Sequence, residues 1–291
     1  MREAAIARPL ARSRPLPRPP SPWRIAGHAA IALMIVVIGI PMFWMATASL
    51  KTLPEIRTFP PVWLPLSPRW QNYADAWRSA PFDRFFLNSI VTTLLGSGAK
   101  LINAVLCAYA LAYLRFPGRN LVFLVILTAL MIPVQVTILP NYLTVADLGW
   151  INSYQGIVVP EFGVAFGTFL LRQHFLTLPR EVLDAARVDG AGQLRTMWSI
   201  ALPLSRPILA TLTLLTAVGR WNDYLWPLVV TSTKEMRTLP IGIAWMYDVE
   251  GNTQWGVVMA GVVLVILPVL LLFIWTQKHL VEGIASGAVK G

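Results

Sequence analysis

Lys100, Asn103, Gln135, Glu161, Arg220, Asn222 and Asp223 stand inside long apolar runs of a 291-residue chain, and they have the most chemistry to offer. Lys100 lies about fourteen residues into its run, too deep for its stem to carry the ammonium easily to water. Left unpaired there, the charge costs about 2.5–3.5 kcal/mol or more. Two partners would remove that cost: an internal acid, for which Glu161 is the candidate, or an anionic ligand. Arg220 and Asp223 sit three residues apart, the spacing that brings two side chains together on one helix face. They too read either as a structural pair or as ligand contacts.

Other chemistries lack their residues. His28, His174 and His279 are the only histidines. They lie near the ends of runs, at no spacing that makes a Ser–His–Asp site or a zinc cluster. The single cysteine, Cys107, excludes an intrachain disulfide and reads as a small buried hydrophobe. "GSGAK" at 96–100 has neither the spacing nor the following Ser/Thr of a phosphate-binding loop. Nothing in this inventory makes an enzyme.

The runs that hold these residues dominate the chain. It is 56% hydrophobic and 13% charged, with mean hydropathy +0.60, where a soluble domain carries about twice that charged fraction. Apolar segments near 28–49, 86–112, 120–141, 155–172, 207–230 and 255–276 are long enough to cross about 30 Å of hydrocarbon, the fourth only just. The expected fold is all-α: a polytopic membrane protein of six transmembrane helices. "ATA" at 46–48 resembles a signal-peptide cleavage site, but the run before it is too long for an h-region and further spans follow. The first segment therefore reads as an uncleaved anchor.

With the N-terminus inside, the inner segments and flanking Arg172 hold fifteen basic residues against five acidic, and the outer segments seven against seven. That asymmetry puts both termini in the cytoplasm. It also explains the net charge of +10 without nucleic acid, since the basic residues sit at the ends of runs rather than on an aromatic-studded face. Residues 1–27 are expected to be a Pro/Arg-rich cytoplasmic tail and 28–291 the membrane domain. In the outer loop at 51–84, Trp70, Tyr73 and Trp77 would line one face of a short helix at the membrane boundary, or form a contact surface for an extracytoplasmic partner.

One inner loop is too charged and too helical to be a mere connection: 177–206, between the fourth and fifth segments. Pro179 suits a first helical turn, Glu181 and Asp184 suit the positive end of a helix, and Gly190 offers a left-handed stop. A second helical stretch, 193–200, then leads back to the bilayer. Ala185 and Ala186, rimmed by Asp184, Arg187 and Asp189, admit two readings: a docking knob for a partner, or an amphipathic helix on lipid.

This loop resembles the EAA loop of importer-type ABC permeases. That signature reads E-A-A, three residues, G, nine residues, I-x-L-P; here it is Asp184-Ala185-Ala186, Gly190, Ile200-Ala201-Leu202-Pro203, with Asp in place of Glu. "NSIVTT" from Asn88, "AYALAYLRFPGRN" at 108–120, "LMIPVQVTILP" at 130–140, "TFLLRQHFLTLP" at 168–179 and "WNDYLWPLVV" at 221–230 extend the resemblance to the maltose-permease type over nearly the whole chain. Lys100, fifteen residues before Arg115, is similar to the glycerol-3-phosphate uptake branch.

The resemblance implies a permease subunit of a binding-protein-dependent importer in a bacterial or archaeal plasma (inner) membrane. Its implied partners are a second permease subunit, two cytoplasmic ATPases that carry ATP and Mg, and an extracytoplasmic solute-binding protein; this chain itself would hold no cofactor or metal. It also implies that Asp184, Ala185, Ala186, Gly190, Ile200, Leu202 and Pro203 form a coupling helix–turn–helix. Asn88 and Trp221, from the resembling segments, join Lys100, Asn103, Gln135, Glu161, Asn222 and Asp223 as substrate-path candidates. The implied substrate is a sugar or sugar-like polyol, either glycerol-3-phosphate or a glycerophosphodiester, or a neutral di- or oligosaccharide. The rival class is an ATPase-independent secondary transporter or channel, which needs no docking loop.

Overall fold

A computed structural model describes residues 22–163, 165–247 and 253–288. Among them every regular element is helical. In chain order these are α1 (Pro22–Ala48), α2 (Leu53–Arg57), α3 (Gln71–Arg78), α4 (Phe82–Tyr113), α5 (Arg119–Ala129), α6 (Val134–Asp147), α7 (Tyr154–Val158), α8 (Ala165–Phe175), α9 (Arg180–Val188), α10 (Gln193–Thr196), α11 (Leu202–Leu204), α12 (Arg206–Trp221), α13 (Leu225–Val230), α14 (Leu239–Ala244) and α15 (Trp255–Ala288). Contacts divide the chain into two units, residues 1–45 and 46–291.

The first unit holds most of α1. This helix is apolar and, apart from its C-terminal end, mostly exposed, with Ile31, Val36 and Ile38 all more than half exposed, as befits a helix solvated by lipid. It starts at Pro22, so residues 22–27 are helical where a tail was expected; the rest of that expected tail, 1–21, lies outside the described residues.

In the second unit α4 is the central post, and α8, α12 and α14 pack along it. Ala104, Ala108 and Ala112 recur every fourth residue on its buried face. Small side chains at that spacing let neighbouring backbones approach, the packing that lipid-embedded helices rely on. Against this stripe lie Leu171 and Phe175 of α8, Met197, Ala201 and Leu212. At the other end of α4, Phe82 and Phe85 pack with Trp221 and Leu239.

Among the described residues only α1, α4 and α15 are long and apolar enough to cross a membrane unbroken. Three further spans arise only if bent pairs each count as one: α5 with α6 at 99°, α7 with α8, and the 193–204 segment with α12 at 84°. The expected third and fourth segments are therefore not continuous. Pro133 starts α6 after the first break, and Pro160 sits in a 3₁₀ turn, Val159–Glu161, at the second. Where continuous helix was expected over 207–230, the chain unwinds at 222–224 before α13 resumes. Interrupted helices survive at membrane depth only where other groups satisfy the freed backbone or where they border a cavity.

The 51–84 loop carries the expected short helix. α3 begins one residue after Trp70, whose ring lies 6.2 Å from that of Tyr73, while Trp77 packs on Phe82 and Phe86. Asn72 and Tyr73 turn the other way: the Asn72 amide donates to the carbonyls of Ser49 and Lys51 at 2.9 Å, and the Tyr73 hydroxyl meets that of Ser49.

Candidate functional site

The helix breaks converge on one ionic network. α4 carries Lys100, the 3₁₀ turn after α7 carries Glu161, the last turn of α12 carries Arg220, and the unwound stretch carries Asp223. Glu161 Oε2 accepts from Lys100 Nζ at 3.2 Å and also from Arg220 Nη1. Arg220 Nη1 donates in addition to Asp223 Oδ2 at 3.2 Å. Two cations thus face two carboxylates, so the set is neutral. Such balance is what a low-dielectric setting demands, because a charge there must be paired and hydrogen-bonded. The Arg220 side chain is 3% exposed, those of Lys100 and Glu161 20% and 24%.

The same residues repair the broken backbone. Arg220 Nη2 donates to the carbonyl of Ile157 at 3.1 Å, and Trp226 Nε1 to those of Gly156 and Ile157. Asn103 Nδ2 donates to the Phe162 carbonyl at 3.0 Å. These carbonyls belong to the end of α7 and the turn after it, where Pro160 has no N–H to offer. Room for the guanidinium comes from Gly96: a Cβ there would lie 2.8 Å from Arg220 Nε.

An open cleft of about 390 Å³ borders the network, and Lys100, Gln135, Asn141, Glu161, Asp223 and Trp226 reach it. Four of the sequence candidates therefore share one place: Lys100, Gln135, Glu161 and Asp223. Asn103 stands behind them as a backbone clamp. The other three lie elsewhere. Asn88 is 2% exposed and fully engaged, donating to the carbonyls of Glu235 and Arg237 and accepting from the Tyr154 hydroxyl. Trp221 is buried with its Nε1 on the Val265 carbonyl. Asn222 is exposed, and among the described residues its side chain bonds to the Val218 carbonyl one turn back. Asn141 was missed; it follows Pro140 inside an apolar stretch, a signal the spacing did contain.

The charged loop forms a second site. Pro179 precedes α9, Gly190 ends it at φ +79°, where glycine costs nothing, and α10 runs through a π turn, Met197–Ala201, into α11. α9 is amphipathic. Leu183 and Ala186 are buried, while Val182, Ala185 and Val188 are exposed, Val188 by 88%. The two adjacent alanines, expected to present one small patch together, are split: Ala185 faces out and Ala186 packs inward. Asp184 pairs with Arg187 on its own helix at 2.8 Å. The Tyr109 hydroxyl on α4 bonds to Gln193 Oε1 at 3.1 Å, tying the loop to the central post. Gly190 and Pro203 are exposed, Ile200 and Leu202 half-buried.

Residues 103–286 match the family described as "Binding-protein-dependent transport system inner membrane component". A permease protein of an sn-glycerol-3-phosphate transport system from Yersinia pestis bv. Antiqua is 38% identical, over 89% of this chain and 95% of its own. The protein of the same description from Brucella suis is 36% identical over 90% and 96%. Among solved structures, one chain of a bacterial ABC transporter "involved in the import of the acidic polysaccharide alginate" aligns with a TM-score of 0.78 at 28% identity, covering 90% of this chain and 99% of that one. A chain of a bacterial alginate ABC transporter, crystallised with an alginate-pentasaccharide-bound periplasmic protein, aligns at TM-score 0.64 and 13% identity, a likeness of fold alone.

Proposed function

The chain belongs to the family of binding-protein-dependent transport system inner membrane components, and on that footing we propose a division of labour between its two sites. It is a permease subunit of an ABC importer for sugars or sugar-like polyols, and its partners are a second permease, ATPase subunits and a solute-binding protein.

In our reading the chain crosses the membrane six times with both termini in the cytoplasm, as the distribution of basic residues favours. The 177–206 loop then lies on the inner face as the coupling element. The outward face of α9, with Ala185 and Val188, seats in an ATPase that binds ATP and Mg. An exposed apolar strip on a charged helix supports this, since such strips mark partner surfaces. ATP-driven closure of the ATPases rocks the spans between two states.

The observation that carries the reading of the substrate path is the cleft at the helix breaks. Broken helices bordering a polar cavity are the arrangement by which membrane transporters build their sites. Gln135 and Asn141 offer neutral donors and acceptors to a polyol, and Lys100 a cation to a phosphate ester. The names of the relatives favour glycerol-3-phosphate or a close ester. A second reading, a neutral di- or oligosaccharide, draws on Glu161: it already pairs Lys100, so the cleft is not left with an open cation.

Ligand-stimulated ATPase activity of the full complex separates these readings. Stimulation by glycerol phosphates that Lys100→Ala reduces by about tenfold or more supports the ester. Stimulation by disaccharides alone, indifferent to Lys100→Ala, overturns it. Co-purification tests the coupling site: Ala185→Lys combined with Gly190→Trp should release the ATPase subunits. Transport that persists without any ATPase would return the chain to the secondary-transporter class.

A further inference from the structure

Beside α9 lies a basic crevice that neither the coupling surface nor the substrate cleft uses. It measures about 370 Å³ and runs between the α4–α5 turn and the inner side of α9. Arg115 and Arg119 reach it from the turn, Arg180 and Arg187 from α9, and Tyr113 and Leu178 form part of its wall. Asp184 is the one acid on its lining, and Arg187 already pairs it. Among the described residues Arg115, Arg119 and Arg180 have no carboxylate within 4.0 Å, and Arg119 turns one nitrogen to the Leu114 carbonyl. Four guanidinia converge with the charge of one acid between them, so the crevice is an anion trap. Its planar donors suit phosphate oxygens, which they bind bidentately.

What kind of anion follows from the surroundings. Arg115 and Arg119 also border an adjoining shallow hollow that continues over Phe116, Pro117 and Leu121. Leu121 is 65% exposed and Leu124, one turn on, 56%. α4 ends and α5 begins here, so the turn 114–118 stands where two apolar helices leave the hydrocarbon. A basic pocket opening onto an apolar ledge at that depth has the polarity profile of a phospholipid: phosphate first, acyl chain beyond. Basic pockets between helices on the cytoplasmic side are where anionic headgroups settle.

An acidic stretch of the ATPase would also answer the charge, but the geometry of α9 disfavours it. At about 100° per residue, Arg180, Leu183, Asp184 and Arg187 share one side of the helix, and Glu181, Val182, Ala185 and Val188 the roughly opposite one. A partner seated on Ala185 and Val188 leaves the crevice side turned to this chain and the bilayer.

We propose that this crevice binds the phosphodiester headgroup of an anionic glycerophospholipid, clamped between the α4–α5 turn and the coupling helix. The site rests on the reading that α9 docks through its outer face. Lipid bound there would hold α9 against the membrane-embedded part through both walls at once.

The test uses the whole transporter in nanodiscs of mixed phosphatidylglycerol and phosphatidylcholine, with retained lipid counted by native mass spectrometry. The wild type should keep phosphatidylglycerol preferentially, and Arg119→Gln with Arg180→Gln should cut that retention about tenfold while the ATPase subunits stay bound. Arg115→Gln, a single exposed change, should act in the same direction and guards against misfolding of the double variant. Retention unchanged in both variants overturns the proposal. So does loss of the ATPase subunits from the double variant in phosphatidylglycerol and phosphatidylcholine alike, which would make the crevice a protein contact. Millimolar inorganic phosphate that binds with no preference for phosphatidylglycerol would overturn it as well, in favour of the free anion. ATPase subunits that remain bound to Ala185→Lys would undo the docking reading and leave the lipid result standing.

Discussion

The ionic network bordering the cleft gathers four charged side chains and the crevice beside α9 five, yet one set is neutral and the other strongly cationic. In the network, Lys100 and Arg220 meet Glu161 and Asp223, and each ionic group touches a partner. In the crevice, four arginines share one aspartate. The difference lies in what surrounds them. Arg220 is almost wholly enclosed, and an unpaired charge there has no water to fall back on. Arg115 and Arg180 are exposed, so water and mobile anions screen the excess. A closed network holds structure together; an open one is free to hold something else.

The largest effects should come from opening the closed network. Glu161 serves both cations, so Glu161→Gln strands Lys100 and weakens Arg220. We expect a loss of about 3–5 kcal/mol, seen as a lower unfolding midpoint or a failure to assemble. Lys100→Met added to Glu161→Gln removes the stranded ammonium and leaves Arg220 with Asp223. It should recover a good part of the loss. A double variant no better than the single one would show that charge balance is not what holds the cleft.

Next come changes that keep the charges but disturb how they are seated. Gly96→Ala places a Cβ against Arg220 Nε and forces the guanidinium off its partners, with an expected cost of about 1–3 kcal/mol. Asn88→Ala removes the clamp on Glu235 and Arg237 and leaves the Tyr154 hydroxyl without its acceptor, at about 1–3 kcal/mol. Asn88 lies outside the cleft, so transport per folded complex should hold steady in that variant. A drop in substrate affinity with unchanged stability would instead return Asn88 to the substrate path.

How far the sequence foresees this contrast can be judged residue by residue. Desolvation alone marks Lys100 as needing a partner and Glu161 as the available one, and the structure pairs them. Helical spacing likewise anticipates Arg220 with Asp223. The bond from Arg220 to Glu161 crosses 59 positions and depends on the break at Pro160, so no local pattern contains it. The unwinding at 222–224 has no proline at its start and reads from sequence as unbroken apolar helix. Asn88 and Trp221 enter through the resembling segments rather than through a local pattern, and in the fold their side-chain N–H groups donate to distant carbonyls that no spacing announces. On α9, composition cannot say which of two neighbouring alanines faces the protein; only the packing of Leu183 and Ala186 against the rest decides it.

The smallest effect belongs to the open side of the comparison. Asp184 and Arg187 form an exposed pair three residues apart on α9, 62% and 45% exposed, where water competes for both groups. Pairs of this kind contribute about 0–1 kcal/mol, so Arg187→Ala should barely move the unfolding midpoint. Asp184→Glu keeps the charge and lengthens its reach by one methylene, and stability should again stay within about 0.5 kcal/mol. Their consequences should appear in lipid retention instead, because Asp184 is the one acid among the described residues that line the crevice. Asp184→Asn makes the crevice more cationic and should raise phosphatidylglycerol retention, while Asp184→Glu leaves it near the wild-type level. A large loss of stability from either Asp184 variant would mean that this exposed pair is buried in the working complex, and the contrast between a closed and an open network would then collapse.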